Sequence, residues 1–256
     1  MTARTVLVTG GSSGIGAAAV RRFAAAGDEV WFTYRSGKDR AARLVDEVGG
    51  QAFAFDQGAP ESHQALLAEL PGPVDVLVNN AGLGSKTVEA YAPGDPRAQD
   101  LALLQVDAAG PLWITQDLLP GMLAQGRGTV IFVASVGGGI SQFPGFRHAD
   151  GMAKAAVAYL TRHLAAEHTH TPIDVFGICP GAVETPMFTA STLEGLTAED
   201  RTQLEQRLPK GRLIQAAEIA EVLWWLSTPA ARVLHGAVLD ASMGLGVHPG
   251  LLTGGS

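Results

Sequence analysis

The chain has 256 residues, of which 46% are hydrophobic and 17% charged, and this length supplies enough apolar surface for a large core without disulfides or metals. Its 18 Lys and Arg against 25 Asp and Glu give a net charge of −7, which disfavours nucleic-acid and membrane binding and leaves a small molecule as the expected partner. Cys179 is the single cysteine, which excludes an intrachain disulfide, and no apolar run is long enough to span a membrane. We therefore expect a soluble, cytoplasmic protein.

Short apolar, β-branched runs alternate with helix-like stretches along the chain. The predicted strands are residues 6–9, 29–33, 52–55, 74–78, 129–134, 173–178 and 237–239. The predicted helices are residues 14–26, 40–48, 62–70, 98–105, 111–125, 151–168 and 216–226. This alternation predicts an α/β, Rossmann-type, doubly wound seven-stranded parallel sheet in a single domain over residues 1–256. The irregular segments 84–97 and 184–210 each follow a strand and are predicted to line a pocket.

A glycine-rich turn follows the first predicted strand and opens the first predicted helix. It reads Thr-Gly-Gly-Ser-Ser-Gly-Ile-Gly over residues 9–16. Glycines permit a tight turn and the close approach of backbone N–H groups to a pyrophosphate, and the helix N-terminus adds partial positive charge. The second strand leads into Arg35 with no acidic residue beside it. Because an arginine at this place accommodates a 2′-phosphate in dinucleotide-binding folds, NADP(H) is favoured over NAD(H).

Three motifs, taken together, resemble those of the short-chain dehydrogenase/reductase family. They are the turn at residues 9–16, Asn-Asn-Ala-Gly at residues 79–82 and Pro-Gly-Ala-Val-Glu-Thr at residues 180–185. The resemblance runs along nearly the whole chain and implies a seven-stranded Rossmann-type sheet and a homodimer or homotetramer. The cofactor-binding residues that it implies are Gly10, Ser12, Ser13, Ile15 and Gly16 at the phosphates, Arg35 at the 2′-phosphate, Asp56 near adenine, Asn80, Ala81 and Gly82 along the adenosine, Lys154 at the nicotinamide ribose, and Pro180, Gly181, Val183 and Thr185 at nicotinamide.

The family's catalytic set of Asn, Ser, Tyr and Lys is only partly present. Ser135 and Lys154 match its serine and lysine. Asp150 stands four residues before Lys154, at the position of the family's tyrosine, and Asp107 stands at the position of its asparagine. None of the three tyrosines in the chain is an obvious substitute, and Tyr91 is expected at the rim of the pocket.

An aspartate at position 150 changes the chemistry that we expect. Aspartates are ordinarily ionised at neutral pH, so this side chain is a poor substitute for the acid that protonates a ketone oxygen. An iminium group needs no such acid and is stabilised by a nearby carboxylate. We therefore expect an NADPH-dependent reductase acting on a C=N or C=O group of a small, bulky, secondary-metabolite-like molecule. Asp150 would stabilise the substrate, Ser135 would hydrogen-bond to it, and His148 is a candidate proton donor. The room left by the missing tyrosine is expected to be filled by Arg147, His148 or substrate.

Two alternatives remain open at this point. Asp150 could act as a general base or cation stabiliser in a non-redox cyclase or isomerase that keeps the dinucleotide as a scaffold. It could instead be only the N-cap of the following helix in a catalytically inactive NADP(H)-binding protein. His163, His168 and His170 are interpreted as a solvated helix end, so no metal site is expected.

Overall fold

Seven parallel strands form the central sheet of the computed structural model, which describes residues 3–143 and 145–248. The strands of the described residues are β1 (Thr5–Val8), β2 (Glu29–Tyr34), β3 (Gln51–Ala54), β4 (Val76–Asn79), β5 (Gly128–Val133), β6 (Ile173–Pro180), β7 (Val183–Glu184), β8 (Ile214–Gln215) and β9 (Val238–Ala241). The large sheet has the order β3-β2-β1-β4-β5-β6-β9, and β7 pairs with β8 in a separate two-stranded sheet. The predicted seven-stranded parallel sheet is confirmed.

Helices connect the strands and cover both faces of the sheet. They are α1 (Gly14–Ala25), α2 (Lys38–Val48), α3 (Pro60–Glu69), α4 (Pro96–Leu104), α5 (Gly110–Ala124), α6 (Val136–Gly139), α7 (His148–Glu167), α8 (Pro186–Phe188), α9 (Ala198–Arg207) and α10 (Ala216–Leu226). A π-helical turn, Gln105–Ala109, joins α4 to α5, and another, Thr189–Leu193, follows α8. None of the helices in the described part of the chain combines the length and apolarity needed to cross a membrane.

Each central strand contributes to two hydrophobic layers, because successive side chains of a strand point to opposite faces. In β1, Val6 and Val8 belong to the buried cluster that contains the apolar sides of α1, α2 and α10. Leu7, between them, belongs to the cluster that contains those of α3, α5 and α7. All three side chains are fully buried. This two-sided burial explains why the strands read as continuous apolar runs in the sequence.

The order of the strands reverses next to β1. From β1 the chain builds outwards to β2 and β3, and it then returns to add β4 on the other side of β1. Val6 is accordingly paired with Val30 of β2 on one side and with Val76 of β4 on the other. In open α/β sheets the crevice at such a reversal, outside the carboxyl ends of the strands, is where ligands bind.

Candidate functional site

A cleft of about 460 Å³ opens at this reversal, along the carboxyl ends of the central strands. It gathers sixteen of the residues predicted from the sequence to bind cofactor or substrate. They are Gly10, Ser12, Ser13, Ile15, Arg35, Asp56, Asn80, Ala81, Gly82, Ser135, Asp150, Lys154, Pro180, Gly181, Val183 and Thr185. Three further predicted residues, Gly16, Asp107 and His148, are not part of the lining.

The turn between β1 and α1 needs its glycines for two different reasons. Gly10 and Gly14 have φ values of +65° and +53°, in the left-handed region that favours glycine. At Gly16 the reason is contact, because a Cβ there would lie 2.3 Å from the carbonyl oxygen of Gly10. Gly16 therefore lets α1 pack against the turn, which explains why it lies behind the cleft wall.

The start of α1 is suited to an anion. No side chain caps this helix, Ser13 being its N-cap residue, and its first turn contains no acidic residue. The first N–H groups of a helix have no partner within the helix, and they carry the positive end of its dipole. Since this end opens into the cleft, the cradle formed by residues 10–15 fits the pyrophosphate of a dinucleotide.

Asn80 fastens the loops after β1 and β4 to each other. Its backbone N–H and that of Ala81 both donate to Thr9 Oγ1, each at 3.0 Å. Its side-chain Nδ2 donates to the carbonyl oxygen of Thr9 at 2.9 Å. On the other side of the turn, the N–H of Gly10 donates to Thr33 Oγ1 at 3.1 Å. The cradle is therefore held from both neighbouring strands.

The far end of the cleft carries two arginines. Arg35 and Arg40 both line it. Arg40 lies in the first turn of α2 and was not predicted from the sequence. The guanidinium carbon of Arg35 lies 4.5 Å from the centre of the Tyr91 ring, within cation–π range. The Tyr91 hydroxyl donates to Asp56 Oδ1 at 2.9 Å, and burial together with this carboxylate raises the pKa of Tyr91 to about 12. Tyr91 therefore belongs to the arginine end of the cleft and stays neutral there.

At the other end, Lys154 and Asp107 form a buried ion pair. Lys154 Nζ lies 2.9 Å from Asp107 Oδ2, and the N–H of Leu83 donates to Asp107 Oδ1 at 2.7 Å. Burial raises the pKa of the Asp107 carboxyl, while the charge of Lys154 opposes the rise. Burial by itself lowers the pKa of Lys154, but the carboxylates of Asp107 and Asp150 outweigh it, and the net shift is upward. Lys154 is therefore an ammonium ion.

Asp150 acts as a hydrogen-bond acceptor. Its Oδ2 accepts from the backbone N–H of Ser85 at 2.9 Å and from Ser85 Oγ at 2.5 Å. Ser85 Oγ in turn accepts from the N–H of Arg147 at 3.0 Å, which directs the hydroxyl hydrogen of Ser85 towards Asp150. Because both groups of Ser85 donate to the same oxygen, Oδ2 carries no proton.

The start of α7 differs from the prediction. The helix begins at His148, three residues earlier than expected, and Arg147 is its N-cap residue. The interpretation of Asp150 as the N-cap is therefore wrong, since its carboxylate accepts from a different loop. Ser85 occupies the space beside Asp150. The Arg147 guanidinium does not, since it turns to Asp100, with Nε 2.9 Å from Oδ1. His148 is exposed and does not line the cleft, so the structure does not bring it to the site.

Ser135 lines the cleft at the N-cap position of α6. Its Oγ accepts from the N–H of Gly137 at 3.1 Å, which leaves its hydroxyl hydrogen free to donate into the cleft. An apolar wall also lines the cleft, and no sequence pattern predicts it, because its side chains come from irregular loops and short turns. The apolar wall consists of Phe143, Phe146, Met187, Phe188 and Leu245.

Comparisons with known proteins agree with this architecture. The family model described as "Enoyl-(Acyl carrier protein) reductase" matches residues 10–246. The chain is 32% identical to 2-(R)-hydroxypropyl-CoM dehydrogenase of Xanthobacter autotrophicus, over 92% of this chain and 96% of that one. It is 33% identical to cis-4-hydroxycyclohexanecarboxylate dehydrogenase of Sinomonas cyclohexanicum, over 94% and 96% of the two chains. A variant of actinorhodin polyketide ketoreductase, solved with NADPH, superimposes with a TM-score of 0.85 at 30% identity, over 95% and 97% of the two chains. The chain therefore belongs to the short-chain dehydrogenase/reductase family of NAD(P)-linked oxidoreductases.

Proposed function

We propose that the protein is an NADP(H)-dependent reductase that delivers hydride to a C=N group, imine or iminium, or to a C=O group of a small, bulky molecule. The preference for C=N follows from the charge at the reacting end of the cleft, by which we mean the end that contains Lys154 and Asp150. One ammonium, Lys154, faces two carboxylates, Asp107 and Asp150, so that one negative charge is in excess. Such an excess stabilises a substrate cation more than a neutral ketone.

Each polar side chain at this end has a definite task in the proposal. A bound reduced dinucleotide would supply the hydride. Asp150, at the position of the family's tyrosine, places its carboxylate beside the substrate cation while Ser85 holds one of its oxygens. The Ser135 hydroxyl donates to the substrate, and Lys154, fixed by Asp107, donates to the cofactor ribose. The dehydrogenases and the ketoreductase similar to this chain support redox chemistry at the site.

The role of Asp150 is tested by Asp150→Asn, which keeps the size of the side chain and removes its charge. With dihydroisoquinoline as the probe imine, we expect turnover to fall by about a hundredfold or more, because an electrostatic contribution of this kind is worth that much in other enzymes. Oxidation of NADPH, followed by its absorbance, measures the rate, and fluorescence titration should show unchanged NADPH affinity. Glu167→Gln, the same chemical change at the opposite end of α7, is the matched control.

The same assay separates the alternatives. An unchanged rate in Asp150→Asn would show that the charge of Asp150 takes no part in the reaction. Product formed without oxidation of NADPH would favour a non-redox cyclase or isomerase, for which Oδ1 of Asp150, unbonded to any of the described residues, is the available base. Tight NADPH binding without turnover of any imine or ketone probe would indicate that the protein is a catalytically inactive NADP(H)-binding protein.

The preference for NADP(H) is tested at Arg35. Its guanidinium lines the cleft beside Arg40, where a 2′-phosphate would lie. In Arg35→Glu we expect NADPH to bind about 10- to 100-fold more weakly, since a charge-assisted hydrogen bond is lost and a repulsion added, while NADH affinity changes little. Fluorescence titration with both nucleotides measures the two affinities. Arg43→Glu, at an exposed position of the nearby helix α2, is the control, and equal effects on both nucleotides would refute the assignment.

A further inference from the structure

Two aromatic side chains lie directly beside the reacting end of the cleft. The rings of Phe143 and Phe146 are 5.8 Å apart between centroids and inclined at 54°. A Cβ added at Gly137 would lie 2.9 Å from Phe146 Cε2 and 3.1 Å from Phe143 Cδ2. Both rings therefore lie close to the backbone of Gly137, two residues after Ser135, where a Cβ would collide with them.

This wall leaves apolar surface open to solvent. Phe146 is 49% exposed and Met187 is 43% exposed, although both line the cleft. Large apolar side chains that remain half exposed in the lining of one cleft indicate a surface that a ligand covers. The ligand that best covers it has an apolar, preferably aromatic, body.

The charges around the wall favour a cation. Asp150 Oδ2 is occupied by Ser85, and no hydrogen bond from the described residues reaches Oδ1. Two other charged groups of this end, Lys154 and Asp107, neutralise each other in their ion pair. The Arg147 guanidinium is held away by Asp100. Among the charged residues that line this end of the cleft, Asp150 is therefore the one whose charge is not taken up by an ion pair within the described part of the chain.

We propose, on the basis of the function proposed above, that this end is a binding subsite for aryl-substituted organic ammonium and iminium ions. The cationic nitrogen lies against the Asp150 carboxylate, and the aryl body lies on Phe143 and Phe146. The aromatic faces add to the attraction, since ring quadrupoles attract cations within about 6 Å of the centroid. The proposal narrows the substrates to amine-type molecules and excludes carboxylates, which the excess negative charge repels.

The test compares two ligands of the same shape. Tetrahydroisoquinoline is a secondary amine that is protonated at neutral pH, and isochroman carries a neutral oxygen in place of its nitrogen. Both are titrated calorimetrically into the NADPH-loaded protein. The amine and NADPH are both already reduced, so no hydride passes and the heat reports binding alone. We expect the amine to bind about tenfold more tightly than isochroman, a difference typical of one partly desolvated charge interaction.

Two variants assign the effect to residues. Asp150→Asn should remove the difference between the ligands and leave isochroman binding unchanged. Phe146→Leu should weaken both ligands several-fold, and Glu167→Gln should change neither. Equal affinity for the two ligands in the unsubstituted protein overturns the proposal without reliance on any variant. Charge-dependent binding without NADPH-linked imine reduction would support the subsite and refute the proposed reductase. Imine reduction without charge preference would refute the subsite alone.

Discussion

The Lys154–Asp107 pair contributes to stability as well as to the site. Lys154→Met leaves a fully buried carboxylate without its counter-ion, and we expect the free energy of unfolding to fall by about 3–5 kcal/mol. Chemical denaturation measures the loss. Adding Asp107→Leu should recover much of it, because the buried charge is then removed altogether. If the double variant is no more stable than Lys154→Met, the pair does not act as a unit.

The same pair has a defined dependence on pH. The folded protein raises the pKa of Lys154 above its unfolded value of about 10.4, so the ammonium favours the folded state wherever it is charged in both states. Its contribution is fully present below the unfolded pKa and is lost as the pH rises through the folded pKa. The stability difference between the protein and the double variant Lys154→Met/Asp107→Leu, in which neither group titrates, should therefore be constant around neutral pH and shrink in strongly alkaline solution. A difference that grows there would contradict this assignment.

At the level of single residues, motifs with a fixed spacing could be predicted and partners from distant segments could not. The positions of the cradle residues and of Lys154 in the cleft could be predicted, because each belongs to a short sequence motif with fixed spacing. The contact between Ser85 and Asp150 joins positions 65 residues apart, and no local pattern connects them. The same holds for Tyr91, whose contact with Arg35 depends on how the segment after β4 folds over the cleft.

Among the elements, the central strands and the helices that cover them were predictable because both faces of each central strand are buried. Helix α9 was missed, since its sequence is polar on nearly every side and lacks a clear apolar stripe. Local interactions support it instead. Thr197 Oγ1 accepts from the N–H of Asp200 at 3.1 Å, and Arg201 bridges Glu205 within the helix and Glu184 of β7. Helix α9 therefore rests on the two-stranded sheet beside the cleft.

The early start of α7 shows how an error in one element changes a functional interpretation. The sequence predicts that α7 starts at residue 151, and this start would make Asp150 the residue that caps the helix. The additional residues His148–Asp150 put it within the first turn, on the side that faces Ser85 and Lys154. Helix ends depend on the preceding loop, and here Arg147 fixes that loop through hydrogen bonds to Asp100 and Gln99. Such contacts arise only in the folded chain.

For the molecule as a whole, an exposed stripe on α7 bears on assembly. Met152 and Tyr159 are 59% and 67% exposed and lie seven residues apart on one face of α7, and Leu101 of α4, a helix that contacts α7, is also exposed. We propose a homodimer or homotetramer formed through this face, and light scattering should give two or four times the chain mass of 26.5 kDa. Tyr159→Glu should reduce the mass by introducing charge at the contact. Val233→Glu, at a site 88% exposed elsewhere, should not, and a monomeric unsubstituted protein would refute the proposal.

The glycines of the β1–α1 turn also determine where the molecule can change in evolution. A Cβ at Gly11 would lie 2.4 Å from the Cβ of Phe32, so almost any substitution there displaces a core side chain. Phe146 and Met187, by contrast, can be exchanged without moving the backbone, because much of each side chain borders solvent. If the apolar wall binds substrate as proposed, single substitutions in it should change the substrate range, while substitutions in the β1–α1 turn should disrupt the fold around the cleft.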